Sequence, residues 1–131
     1  VTAVAPGVHG LSNSLLNTPW PKVTQGCAAM TQVMHLKSQD LVDALFKVLG
    51  DRTTAADENL PNTGVGLPRE RLLSSAFIAT PAYGTRASSV VLINNHGQVV
   101  FVERSFGERG KPVSSVTGRF SLESAPASAA A

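Results

Sequence analysis

Apolar residues in this chain follow two different rhythms. Val23, Cys27, Met30 and Met34 recur at steps of four, three and four, which puts them on one face of a helix. Pro21 suits the first turn of that helix, where its missing N–H costs nothing. A second helix is expected next, with Ser38 as N-cap and Asp40 favouring the positive first turn. Leu41, Leu45 and Val48 or Leu49 form its expected buried stripe, and Gly50 stands where a left-handed C-cap is expected.

Further along, the rhythm becomes that of strands. "SSVVLI" (88–93), "NNHG" (94–97) and "QVVFVERSF" (98–106) read as a β-hairpin with a turn-rich connection. Val90 and Leu92 face one way, and Val91 and Ile93 the other. On the return strand Val99 and Phe101 oppose Val100 and Val102. Both faces are apolar, so the hairpin is expected to be covered on both sides. "SSVTGRFSLE" (114–123) extends the sheet, and residues 1–5 and 8–11 are β-leaning pieces split by Pro6 and Gly7.

Between these elements lie two irregular stretches. "GLSNSLLNTPWPKV" (10–23) combines turn-formers with Leu11, Leu15, Leu16 and the lone Trp20. Turns are commonly polar and cores avoid Pro, so this reads as a loop folded back into a site. Residues 51–68 form a long connection punctuated by Pro61, Gly64, Gly66 and Pro68, of a length that usually serves a function, with a short helical turn around 69–73. The expectation is an α+β fold of about five strands in a mostly antiparallel sheet with two helices. One domain spans residues 1–124, and 125–131 form a low-complexity tail.

Composition narrows the function. At 131 residues, 43% apolar and 15% charged, the chain suits one globular domain without disulfides. Eleven Lys and Arg are scattered among nine acids, giving a net charge of +2 and no basic stripe, so nucleic-acid binding is not expected. Cys27 is the only cysteine, which fits a reducing, cytoplasmic setting. No apolar run approaches the ~20 residues of a membrane span.

Few residues carry recognisable chemistry. His9, His35 and His96 have no ligand spacing, so no metal is expected. Cys27, Met30 and Met34 read as core filling rather than haem ligands, with Cys27 buried and inert. Gly64-Val65-Gly66 reads as a turn, and Asp57-Glu58 as a solvated pair. Two polar residues stand out by position. Asn13 offers two amide donors to a developing oxyanion, or closes an Asx turn on its own backbone. Arg86, in "YGTRASS", offers a guanidinium to a carboxylate or a thiolate, or forms an ordinary strand-end ion pair.

Four stretches, "GLSNSLLNTPWPK", "DRTTAADENLPNTGVGLPRERLLSSAFI", "YGTRASSVVLI" and "GQVVFVERSF", together resemble the NRDE family, also called the transport-and-Golgi-organisation family. The resemblance runs from about residue 6 to residue 123 and covers the family's C-terminal half. The Cys after the initiator Met and the Asn-Arg-Asp-Glu tetrapeptide of the family are not in this sequence. The resemblance implies part of an N-terminal-nucleophile-hydrolase-like αββα sandwich, whose missing N-terminal half supplies the rest of the sheets and the second helical layer. It implies a cysteine amidohydrolase or acyltransferase acting on a small acyl or amide ligand, with Asn13 and Arg86 as site residues. The nucleophile lies upstream, so the chain alone is expected to be inactive, since Cys27 sits on a helix. Many members have Cys where this chain has Ala87, so no thiol chemistry is assigned there. The alternative is a non-enzymatic carrier that needs no cofactor and holds haem or an acyl lipid as cargo; a third is an interaction module. Uncovered apolar sheet predicts a homodimer or poor solubility.

Overall fold

In a computed structural model, residues 3–123 are described. Three helices precede a three-stranded sheet: α1 (Pro21–Val33), α2 (Ser38–Leu49), α3 (Leu67–Leu73), β1 (Ala87–Ile93), β2 (Gln98–Phe106) and β3 (Pro112–Ser121). The sheet is an antiparallel meander in the order β1-β2-β3. This is an α+β fold, with three strands among the described residues where about five were expected; beside the two expected helices, α3 falls on the short helical turn expected around 69–73. The expected tail, 125–131, lies outside the described residues.

The hairpin forms as its alternation dictates. Val90 pairs with Val102 and Leu92 with Val100, which stacks four apolar side chains on one face. The turn between the strands is closed by Asn94, whose Oδ1 accepts from the backbone N–H groups of His96 (2.9 Å) and Gln98 (3.0 Å). The α2 helix lies over this face. Val42 and Phe46, 2% and 6% exposed, join Val90 and Val102 in the core, with Leu45 and Leu49 at its margin. The buried stripe of α2 is therefore one residue out of phase with the expected Leu41 and Leu45, because β1 sits over the Val42–Phe46 edge of a broad apolar face.

Other expectations shift in small ways. Lys37, not Ser38, is the N-cap of α2 and offers no side-chain cap. Gly50 ends the helix at φ −86°, ψ 4°, outside the left-handed region, with its N–H donating to the Phe46 carbonyl at 2.9 Å. Residues 3–20 contain no strand. On α1 only Val23 is buried; Cys27 and Met30 are half-buried and Met34 is exposed, so the Met and Cys stripe is not core throughout. Only one face of the sheet is covered among the described residues: Val91, Ile93, Val116 and Phe120, on the other face, are each more than half exposed. No helix of the described residues is long and apolar enough to cross a membrane.

The long connection is tied down by charge. Arg71 grips Asp57 with two hydrogen bonds, Nε to Oδ1 at 2.6 Å and Nη2 to Oδ2, so Asp57 is ion-paired rather than merely solvated. The Arg71 hydrogen bond holds the Asp57 carboxyl below its ordinary range, and the Thr53 hydroxyl and N–H do the same for Asp51. A depressed folded-state pKa means that the unfolded carboxylates take up protons first as pH falls. The two groups thus favour the folded chain above the ordinary carboxylate range, and this is lost as pH drops through their folded values. Thermal unfolding followed between pH 7 and pH 3 should show little change from these groups above about pH 5. A D51N/D57N variant should lose part of the acid dependence below that; an unchanged acid limb contradicts it.

Candidate functional site

The opening stretch is a loop held by Asn17, not by Asn13. Asn17 takes a left-handed conformation, φ 60°. Its N–H donates to the Gly10 carbonyl (2.7 Å), its Oδ1 accepts from the Gly10 N–H (3.0 Å), and its amide nitrogen meets His9 Nδ1 at 2.9 Å. Thr18 then closes a turn onto the Leu15 carbonyl through both N–H and hydroxyl, and Pro21 opens α1 directly after Trp20. Gly10 lets the loop lie against the helix: a Cβ there would stand 2.6 Å from Val23 Cγ1 and 3.0 Å from Cys27 Sγ.

This folding sets Asn13 on the rim of two adjoining cavities. The first, about 560 Å³, is walled by Val23, Cys27 and Met30 of α1, Leu45 and Leu49 of α2, and Ser89 to Val91 of β1. The second, about 470 Å³, runs under Trp20 and Tyr83 to Glu70. Asn13 and Lys22 line both. Asn13 is exposed, and its side chain makes no hydrogen bond among the described residues, so the Asx turn that its sequence allowed is not formed. Lys22 Nζ donates to the Leu73 carbonyl at 3.0 Å, which fixes the ammonium at the same rim.

The second cavity also contains a buried acid. Glu70 Oε1 accepts from the Thr63 N–H (2.7 Å) and hydroxyl (2.6 Å), which pins the long connection to α3. In chemical terms, the rim offers an amide N–H₂ and an ammonium at the mouth of an apolar chamber. Such an arrangement polarises a carbonyl whose apolar portion sits inside. Cys27 faces the first chamber, but no histidine lines either chamber to serve it as a base. Among the described residues no group of three His, Cys, Asp or Glu could hold a metal.

Arg86 lies elsewhere. It is exposed, pairs with no carboxylate among the described residues, and lines neither chamber. Its carbonyl accepts the Phe106 N–H at 2.8 Å, one step before the β1 strand that walls the first chamber. Asn13 and Arg86 thus share no cavity. Lys22 was missed from the sequence, although its place after Pro21, on the first turn of a helix following a folded loop, is a readable signal.

The chain matches the family model described as transport and Golgi organisation 2 over residues 1–108, which leaves β3 beyond the matched region. It is 38% identical over 109 residues to the transport and Golgi organization protein 2 homolog of Bos taurus, covering 78% of this chain and 40% of that protein. The Homo sapiens homolog is 30% identical over 113 residues, covering 81% and 41%. The chain therefore spans about two-fifths of the length of the curated relatives it matches.

Proposed function

The chain belongs to the transport and Golgi organisation 2 family, and from that premise we propose that it is the C-terminal portion of an N-terminal-nucleophile-like domain that cleaves or transfers an acyl group held as an amide or thioester. The missing N-terminal half would complete an αββα sandwich over the bare face of the sheet and supply a cysteine nucleophile, whose own α-amine acts as base. The carbonyl oxygen becomes an oxyanion as the thiolate adds, and the Asn13 amide donates to it at the rim, with the acyl body in the apolar chamber. Arg86, exposed at the head of β1 and outside both chambers, is assigned no contact with the thiolate or the acyl body in this step.

The observation that carries this reading is the Asn13 side chain, unpartnered among the described residues at the mouth of an apolar cavity. The test uses a polypeptide of the relatives' length and an acyl thioester substrate. Asn13→Ala should lower kcat by about 100-fold or more, the usual cost of one oxyanion donor, with near-ultraviolet circular dichroism unchanged. Undiminished turnover in that variant overturns the assignment.

A carrier reading draws on a different observation: Cys27 and Met30, expected in the core, line the first chamber instead. In that case the chamber holds haem or an acyl lipid as cargo, and no bond is broken. Haem titration followed by absorbance tests the haem cargo, which the absence of a Soret shift removes.

A further inference from the structure

A third cavity, about 610 Å³, lies apart from Asn13, beyond the C-terminal end of α2 and beside the start of β3. Three rings line it. Phe77 and Phe106 meet edge to face with centroids 4.8 Å apart, and Phe46 comes from the core. Two guanidiniums stand over those rings: Arg104 is 3.9 Å from the Phe46 centroid and Arg52 is 5.1 Å from that of Phe77.

The charge in this cleft is one-sided. No Asp or Glu lines it. Asp43, 3.2 Å from Arg104, stands outside the lining and offsets one cation in part; no carboxylate pairs with Arg52 among the described residues. Arg52 is also closely held. Gly110, at φ 69°, packs so near that a Cβ there would stand 2.6 Å from Phe77 Cε1 and 3.0 Å from Arg52 Nη2. The guanidinium thus lies between a ring and a bare stretch of backbone.

A guanidinium stacked on a ring keeps its N–H edge available for a bidentate acceptor and has little rotamer freedom left to lose on binding. Ser88 and Ser115, in register on either side of Arg104, add further hydroxyl donors along one wall. A positive rim beside an aromatic floor matches a ligand that is anionic at one end and flat and apolar at the other.

We propose that this cleft binds a small organic anion, its phosphate or carboxylate received by Arg52 and Arg104 and its aryl or short acyl body laid against Phe106 and Val113. The site is independent of the chamber at Asn13. It needs no chemistry in the cleft, only recognition.

The chain is titrated with phenyl phosphate, benzoate, inorganic phosphate and benzyl alcohol, following the backbone amide resonances of Gly50, Ser88 and Gly110. Phenyl phosphate or benzoate should shift these three resonances saturably, and the tighter of the two identifies the head group. Benzyl alcohol and inorganic phosphate should each bind at least tenfold more weakly, since each lacks one half of the ligand. Arg52→Gln should weaken the organic anion at least tenfold while leaving the remaining amide spectrum in place, because Arg52 is exposed and not part of the core. Arg52→Lys, which keeps the charge and loses the fork, should fall between the two. Equal affinity in Arg52→Gln, equal binding of benzyl alcohol or inorganic phosphate, or no saturable shift for either organic anion overturns the proposal.

Discussion

Phe46→Ala should cost about 3–5 kcal/mol of folding stability, the range for truncating a buried phenylalanine. The fully buried cluster around it is small: Val42, Val90 and Val102, with half-buried Leu45, Leu49, Leu92 and Val100 around them. Two terms add. Removing the ring takes apolar surface out of the α2–sheet junction and leaves a cavity that a helix and a sheet can only partly close. It also withdraws the face on which Arg104 rests at 3.9 Å, a contact worth about 0.5–1 kcal/mol at a half-exposed site. Against a total stability of about 5–15 kcal/mol for an ordinary domain, the variant should lose a large share of its folding free energy. Urea denaturation followed by circular dichroism measures this directly. Phe46→Leu, which keeps most of the volume, should cost clearly less, and Leu45→Ala should fall between because Leu45 is half-buried. A loss below about 1 kcal/mol for Phe46→Ala, no more than an average point substitution, contradicts the placement of the core.

The elements whose pattern is internal to themselves were the ones legible from the sequence. The hairpin is one: alternation through 88–93 and 98–106 fixes which residues share a face, and Asn94 to Gly97 form a turn whatever lies around them. Helix α1 is another, since Pro21 marks its start. Periodicity says less about which edge of an apolar face is buried. In α2, Leu41–Leu45 and Val42–Phe46 both satisfy a step of four, and only the position of β1 decides between them. The β-leaning residues within 3–11 form no strand because pairing needs a partner edge. There the chain turns at Gly10 onto Val23 and Cys27. Asn13 and Asn17 look alike in sequence. The left-handed backbone at Asn17 directs its amide to Gly10 and His9, which leaves Asn13 at the rim. The cleft of Arg52 and Arg104 was not legible at all. It depends on a register that sets Arg104 opposite Ser88, and on the long connection that brings Arg52 to Gly110.

The largest surface effect should come from the bare face of the sheet. Across its end runs the row Ile93, Val99 and Phe120, in direct register on β1, β2 and β3. Val99 is only 3% exposed although no helix covers this face, because it lies between two flanking side chains that are themselves 59% and 56% exposed. Val91 and Phe101 continue the apolar surface in the next row on β1 and β2, and beyond them Val116 stands on β3 beside Glu103. A contiguous apolar patch of this kind on an otherwise ordinary surface is a place where something docks. The chain should therefore bind an apolar-surface dye strongly and self-associate as its concentration rises. An I93T/F120T double variant should lose most of the dye signal and sediment as a smaller species. Its unfolding midpoint should fall only modestly, because both side chains are more than half exposed and the loss is chiefly the shelter they give Val99. The three readouts distinguish the possible covers. If the further length of the relatives supplies the cover, a polypeptide of that length should show neither dye binding nor self-association. If a second copy is the partner, the longer polypeptide should dimerise through the same row, and I93T/F120T should break that dimer. Monomeric, dye-free behaviour of the unsubstituted chain at high concentration contradicts both, and removes the bare face as support for a larger layered domain.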